Sequence, residues 1–174
     1  NDIARLAKRA RNKSRKRGWG EELKFNNSED STKMLVLKSV AQMDCQILWV
    51  SFDKQNIPAR LRENKKLLYQ LACEAVLQEA VKRTPSKNVH IIIDKRYRKI
   101  RDRDSLEHHI MAMLKESHVG FFSPKFRISQ YDSFMSSELQ VHDFIVGAVY
   151  QLVERDIGAY IGLIGSKIIF GERR

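Results

Sequence analysis

Hydrophobic and polar positions recur along the chain with two different periods, which separates predicted helices from predicted strands. Segments with a helical period predict helices over residues 2–13, 31–43, 60–82, 104–116, 137–153 and 154–163. In the first of these, Ile3, Leu6, Ala7 and Ala10 form an apolar stripe, and Ser136 or Ser137 caps the fifth. Apolar, β-branched segments bounded by polar residues predict strands over residues 46–54, 89–94 and 125–132. Strands and helices alternate, so we expect parallel α/β packing in a single domain over residues 1–174.

The strand "VHIIID" is almost continuously apolar, a pattern typical of an interior strand covered on both faces. Asp94 ends this strand. Ligands of open α/β sheets bind beyond the carboxyl ends of the strands, so Asp94 is a candidate site residue by position. An aspartate that only caps a turn is the alternative.

The predicted helix "LQVHDFIVGAVYQLV" carries one carboxylate, Asp143, among apolar residues. Helical spacing places Leu139, Asp143, Val146 and Tyr150 on one line, which we expect to be a buried stripe. An unpaired charge there is strongly destabilising, so Asp143 needs a partner: a hydroxyl, an arginine or a metal ion. Gly147 follows one turn later and indicates a close approach by another backbone or a ligand.

The net charge of +11 is concentrated in two stretches. Residues 1–18 hold eight basic residues and one acidic residue, and residues 95–103 hold six and one. Concentrated positive charge favours a polyanionic partner, usually nucleic acid. The second stretch contributes Lys95, Arg96 and Arg98 as candidate phosphate contacts; a merely solvated basic surface is the alternative.

The composition also excludes several classes of protein. The chain has no apolar run long enough for a transmembrane helix and no signal-peptide pattern at its start, so we expect a cytoplasmic protein without a membrane partner. Cys45 and Cys73 show no metal-binding spacing and are expected to be reduced thiols. No HExxH or related histidine spacing indicates zinc.

A third acidic residue, Glu22 of "GEELKF", joins Asp94 and Asp143 as a candidate. Carboxylates that hold Mg²⁺ or Mn²⁺ in a basic protein are the usual means of phosphodiester hydrolysis, and the metal would compensate the charge of Asp143. Surrounding lysines and arginines would hold the nucleic-acid backbone without reading its sequence.

The "GEELKF" element, the strand ending in Asp94 and the helix "ELQVHDFIVGAVY" together resemble the domain-of-unknown-function family 3800, over roughly residues 20–170. The resemblance implies a ribonuclease H-like fold, with a mixed sheet flanked by helices, and metal-dependent nuclease activity. Glu22, Asp94 and Asp143 match the metal ligands of the family. Lys24 matches its lysine and Gln140 its glutamine, and the resemblance makes both candidate contacts with nucleic acid.

The chain departs from this family in two places. The family opens with a strand that carries an Asp-Glu-Ser motif and a fourth carboxylate, and no such motif occurs here. We expect those N-terminal strands upstream of residue 1; otherwise the site is incomplete. His142 stands where the family has a small residue, and its helical position turns it away from Asp143.

Two alternatives stay open from the sequence. The basic stretches also suit a nucleic-acid-binding module without catalysis. The apolar C-terminal segment "YIGLIGSKIIF" also suits an assembly protein that packs against a second copy of itself as a homo-oligomer.

Overall fold

The computed structural model describes residues 2–15, 22–95, 100–116 and 124–174, with side chains at 14, 15 and 100–104 excepted. These residues form a mixed α/β structure of seven α-helices and short parallel strands in two small sheets. The elements in chain order are α1 (Asp2–Arg15), α2 (Asp30–Ala41), β1 (Ile47–Ser51), α3 (Ala59–Glu63), α4 (Lys65–Arg83), β2 (Asn88–Asp94), α5 (Ile100–Glu116), β3 (Lys125–Tyr131), α6 (Ser137–Arg155), α7 (Ala159–Ile164) and β4 (Ile168–Arg173).

The chain divides into two compact units. Unit 1 comprises Asn1–Ile47 and Tyr131–Ile169, and unit 2 comprises Leu48–Gln130 and Phe170–Arg174. The single domain over residues 1–174 stays a prediction.

Unit 1 is built from the helices α1, α2, α6 and α7, which pack on one another. The predicted apolar stripe of α1 is confirmed, because Leu6, Ala7 and Ala10 are at most 6% exposed. The remaining buried members of this core are Leu23, Phe25, Val36, Leu37, Val40, Ile47, Val141, Phe144, Ala148 and Ile164. Arg5, Lys8, Arg9 and Lys13 are exposed on the opposite side of α1, so the helix has the amphipathic character that the sequence predicts.

The boundaries of α6 show one prediction confirmed and one wrong. Of the two predicted N-caps, Ser136 and Ser137, Ser136 takes this position, and its hydroxyl accepts a hydrogen bond from the amide of Leu139 at 3.2 Å. The helix ends at Asp156, whose φ of 55° is left-handed, and the amide of Ile157 returns to the carbonyl of Gln151. This ending interrupts the predicted helix over 154–163, which is replaced by the end of α6 and the shorter α7.

The predicted helix over 60–82 is also divided, into α3 and α4. Asn64 lies between them with ψ of 78°, outside the helical region. Its side-chain oxygen accepts a hydrogen bond from the amide of Leu67 at 3.0 Å and caps α4. Asparagine competes with the helix by this kind of local hydrogen bond. The sequence pattern did not show the break because the apolar period continues across it.

The second core, in unit 2, lies between the β2–β3 sheet and the helices α4 and α5. It consists of Val81, Ile91, Ile93, Leu106, Ile110, Met113 and Leu114. The prediction that β2 is covered on both faces is wrong. Ile91 and Ile93 are 8% exposed but Ile92 is 37% exposed, so only one face of the strand is buried.

The strand β4 was missed by the sequence pattern, which left residues 167–174 as a tail. It pairs with β1 in the other two-stranded sheet. Gly171 of β4 lies under the indole of Trp49, where any Cβ atom would overlap the ring. The strand therefore forms through contacts distant in sequence, which its own six residues do not indicate.

The four described strands form two separate sheets, so the finer prediction of one ribonuclease H-like sheet stays a prediction. In the described parts of the chain, no helix combines the length and the apolar character that crossing a membrane requires.

Candidate functional site

The segment 22–25 docks against helix α6 and supplies the partner of Asp143. Leu23 and Phe25 are each 2% exposed, which anchors the segment in the core of unit 1. The backbone amide of Phe25 donates a hydrogen bond to Oδ2 of Asp143 at 2.8 Å. The carboxylate in the middle of the helix is therefore compensated by a main-chain N–H from a segment far away in sequence.

The ring of Phe25 explains the glycine that follows Asp143 by one turn. A Cβ atom at Gly147 would overlap the Phe25 ring, so only glycine allows this approach. The same ring meets Phe144 and Tyr160 edge to face, at centroid distances of 5.9 Å and 5.3 Å. The sequence predicted a close approach at Gly147, and the group that approaches is the side chain of Phe25.

The predicted buried stripe through Asp143 is wrong. Val146 and Tyr150, which lie on its line, are 49% and 47% exposed. The buried line of α6 passes instead through Gln140, Phe144 and Ala148, none more than 1% exposed. Asp143 sits at the edge of this line and is partly buried, because α6 turns its Phe144 face toward the core.

Glu22, three residues before Phe25 in the same segment, is held by two neighbours. The hydroxyl of Ser133 donates to its Oε1 at 2.7 Å, and the ammonium of Lys24 lies 3.0 Å from its Oε2. Both side chains of the ion pair are partly exposed, so the pair itself contributes little stability. Its effect is to fix the direction of the Glu22 carboxylate.

Gln140 completes this group and is almost fully buried. Its Nε2 donates to the carbonyls of Ser133 and Phe134, each at 3.0 Å. Its Oε1 accepts from the guanidinium of Arg11 at 2.9 Å. Both ends of the amide are thus bonded within the chain, which gives Gln140 a structural role; its predicted contact with nucleic acid stays a prediction.

We term this group, comprising Glu22, Lys24, Ser133, Gln140 and Asp143, the carboxylate corner. Two of the three carboxylates predicted from the sequence belong to it. The third, Asp94, belongs to unit 2, where it ends β2 and is exposed, with Lys95 exposed beside it. The convergence of Asp94 with the other two carboxylates stays a prediction. Arg96 and Arg98 lie outside the described residues.

The donor atoms of the corner fit a hard cation only in part. Carboxylate oxygens are the ligands that Mg²⁺ and Mn²⁺ prefer. However, among the residues that the structure describes, no group of three or more histidine, cysteine, aspartate or glutamate side chains is placed to hold a metal ion. Glu22 and Asp143 supply two carboxylates, so a complete set of ligands needs a further group.

The cations of α1 lie on the same unit as the corner. Arg11 reaches Gln140 directly, and Lys8 and Arg9 are exposed on the preceding turn. Arg5 is paired with Asp2 at the start of the helix. Within the described residues, no ion pair involves Lys8 or Arg9, so both are available to an anionic partner.

A second polar link fastens α7 to α2 near the Phe25 ring. The hydroxyl of Tyr160 donates to Asp30 at 2.7 Å. This hydrogen bond, with burial and the negative charge of Asp30, raises the pKa of Tyr160 to about 12. The same bond, together with Lys33, lowers the pKa of Asp30. The link stabilises the packing around Phe25.

Sequence reasoning missed three residues of the corner region: Ser133, Arg11 and Phe25. Phe25 is, with Leu23, one of two apolar residues in a polar stretch that has no helix or strand pattern. A backbone amide leaves no signal in the sequence. Arg11 is one of eight basic residues in residues 1–18, and nothing in the sequence distinguishes it from the other seven. Phe25 lies two positions after Leu23, so in an extended segment both side chains face the same side. This spacing was a usable sign that the segment contacts the core.

Comparison of the chain with protein-family models, with curated proteins and with solved structures gives no match. The resemblance to the domain-of-unknown-function family 3800 therefore stays a prediction.

Proposed function

We propose that this protein is a divalent-metal-dependent nuclease of ribonuclease H-like fold, which hydrolyses phosphodiester bonds with Glu22, Asp94 and Asp143 as metal ligands. The observation that supports the proposal best is the carboxylate corner. The segment that carries Glu22 is bonded to Asp143 through the Phe25 amide, and each carboxylate accepts a hydrogen bond from a segment distant in sequence.

The hydrogen bonds of the corner resemble the supports that metal ligands have in other proteins. A carboxylate offers about four lone-pair positions. The Phe25 amide uses one of those of Asp143, and Ser133 uses one of those of Glu22. Outer donors of this kind hold ligating carboxylates in a fixed direction, which favours metal binding. The ammonium of Lys24, paired with Glu22, would have to move away from Oε2 or share this oxygen with the metal ion.

The remaining parts of the chain supply the contacts with substrate. A bound Mg²⁺ or Mn²⁺ would activate water and stabilise the charge that develops on the phosphate. The exposed cations Lys8, Arg9 and Lys95, with Arg96 and Arg98, would bind the phosphate backbone independently of sequence. The substrate class is therefore nucleic acid, with recognition by charge.

A cleavage assay tests the proposal. Labelled single-stranded, double-stranded and hybrid oligonucleotides are incubated with the protein in Mg²⁺, Mn²⁺ or EDTA. We expect metal-dependent cleavage that Glu22→Gln, Asp94→Asn and Asp143→Asn each abolish. Glu154→Gln, a change of an exposed acid near the end of α6, is the matched control and should cleave normally. Equal cleavage by all variants, or none by the wild type, would contradict the proposal.

One observation favours a second candidate, a nucleic-acid-binding module without catalysis. Both carboxylates of the corner already have partners within the chain, Lys24 and Ser133 for Glu22 and the Phe25 amide for Asp143. Salt-sensitive binding of oligonucleotides that persists in the three variants, with no cleavage by any protein, would establish this candidate instead.

A further inference from the structure

A short loop beside the carboxylate corner holds large apolar side chains out in solvent. It begins at Tyr131, the last residue of β3, runs to Met135 and includes Ser133, the residue that donates to Glu22. Tyr131 is 42% exposed, Phe134 46% and Met135 78%. Exposed aromatic residues gathered in one short loop are a feature of binding surfaces.

This loop is fixed by hydrogen bonds that leave its aromatic side chains outside. The buried amide of Gln140 donates to the carbonyls of Ser133 and Phe134. The carboxylate of Asp132 accepts from the amide of Phe134 at 3.1 Å. A buried side chain is thus used to hold the backbone that presents Phe134. A rigid aromatic surface binds with a smaller loss of conformational entropy than a mobile one.

The charges around the loop indicate which part of a nucleic acid it would meet. Glu22 and Asp132 lie at the loop and would repel phosphate groups. The cations Lys8 and Arg9 lie on α1, which reaches the same corner through the bond from Arg11 to Gln140. A strand whose backbone follows α1 would therefore turn its bases, rather than its phosphates, toward Tyr131 and Phe134.

We propose that Tyr131 and Phe134 form a stacking surface for unpaired bases, so that the substrate is a single strand or an unpaired segment. Every base has a π face, so stacking of this kind tolerates any sequence, as the charge-based contacts of α1 also do. A continuous duplex keeps its bases inside and cannot use the surface. The inference rests on the proposed function for the identity of the substrate, but it concerns binding rather than cleavage.

Binding measured in EDTA tests the inference without requiring cleavage. The probes are a fluorescent single-stranded oligothymidine, an abasic strand of equal length and charge, and a duplex. We expect the wild type to prefer the strand with bases, and Phe134→Ala to weaken that binding about 5- to 100-fold while leaving the abasic strand unaffected. Phe134→Leu, which keeps apolar area without a π face, should behave like Phe134→Ala.

Tyr150→Ala is the matched control, because Tyr150 is a similarly exposed tyrosine on unit 1 and should bind as the wild type does. Equal affinity of the wild type for base-bearing and abasic strands would overturn the inference, and so would unchanged binding by Phe134→Ala and Tyr131→Ala. Sedimentation of the same proteins tests whether the surface binds a second copy of the chain instead. A wild-type dimer that Phe134→Ala dissociates would show this and overturn the inference. Stacking without cleavage would leave the inference standing and overturn the nuclease proposal.

Discussion

The backbone amide of Phe25 lies 2.8 Å from Oδ2 of Asp143 and donates a hydrogen bond to it. This bond joins the segment 22–25 to helix α6, together with the packing of the Phe25 ring on Gly147 and Phe144. It also accounts for a carboxylate in an otherwise apolar helix segment, since the charge is met by a main-chain donor. The corner thus has a structural function whatever its chemistry is.

The first prediction separates the structural from the chemical role of Asp143. Asp143→Ala removes the acceptor of the Phe25 amide and should lower the free energy of unfolding by about 1.5–3 kcal/mol, the range for hydrogen bonds to charged groups. Asp143→Asn keeps an acceptor oxygen and should lose less than about 1 kcal/mol. Urea unfolding followed by circular dichroism measures both. Equal losses in the two variants would show that the bond to Phe25 contributes nothing.

The second prediction concerns the contact between Gly147 and the ring of Phe25. Gly147→Ala places a methyl group inside the ring and should destabilise unit 1 by about 1–3 kcal/mol, as overpacking does. Gly162→Ala is the matched control, because a Cβ there meets nothing within 4 Å and the site is helical. It should stabilise the protein by up to about 1 kcal/mol. Thermal unfolding of the two variants should therefore shift in opposite directions.

The third prediction concerns the buried amide of Gln140. Gln140→Met leaves the carbonyls of Ser133 and Phe134 and the guanidinium of Arg11 without their partner, so we expect a loss of about 2–4 kcal/mol. Gln42→Met changes an exposed glutamine of the same unit and should be close to neutral. Hydrogen exchange should rise in the loop around Ser133 only in the first variant. Unchanged exchange there would mean that Gln140 does not hold the loop.

The fourth prediction is a pH dependence. The pKa of Tyr160 is raised to about 12, first by its hydrogen bond to Asp30, and then by burial and the charge of Asp30. A raised pKa in the folded state contributes stability that is present below the ordinary value of 10 and is lost as the pH rises toward 12. Asp30→Asn should lower the midpoint of Tyr160 toward 10, as measured by the ultraviolet absorbance of tyrosinate.

The same pair has an effect at acid pH with the opposite sign. The pKa of Asp30 is lowered by the bond from Tyr160 and by Lys33. Its contribution is therefore present above the ordinary value of 3.8 and is lost as the pH falls below it. Tyr160→Phe should raise the pKa of Asp30 toward that value, which carboxyl chemical shifts in NMR measure directly. No change in either titration would show that the two side chains are not bonded in solution.

Local patterns predicted the elements of this fold that depend on local interactions. The apolar stripe of α1 and the cap at Ser136 were found, because both follow from residue types a few positions apart. The strand β4 and the exposed face of β2 were not, because they depend on what packs against them. Asn64 was a signal that could have been used, since asparagine often caps a helix.

The sequence predicted the acidic residues of the candidate site but not the groups that form hydrogen bonds with them. Asp143 was selected because an acid is destabilising in an apolar helix segment. Glu22 was selected because it flanks the basic cluster and matches the family resemblance. The structure bonds the segment that carries Glu22 to Asp143. The Phe25 amide could not be selected in this way, because every residue except proline carries an N–H group. The exposure of Val146 and Tyr150 depends on how α6 is rotated against the core, which helical spacing alone does not determine.

We propose that Glu22, Asp94 and Asp143 hold one divalent metal ion. Titration of the full chain with Mn²⁺, followed by electron paramagnetic resonance of the free ion, measures this binding. We expect saturable binding that Glu22→Gln, Asp94→Asn and Asp143→Asn each weaken, and that Glu154→Gln leaves unchanged. Absence of saturable Mn²⁺ binding by the wild type, or binding that Asp94→Asn does not affect, would contradict it.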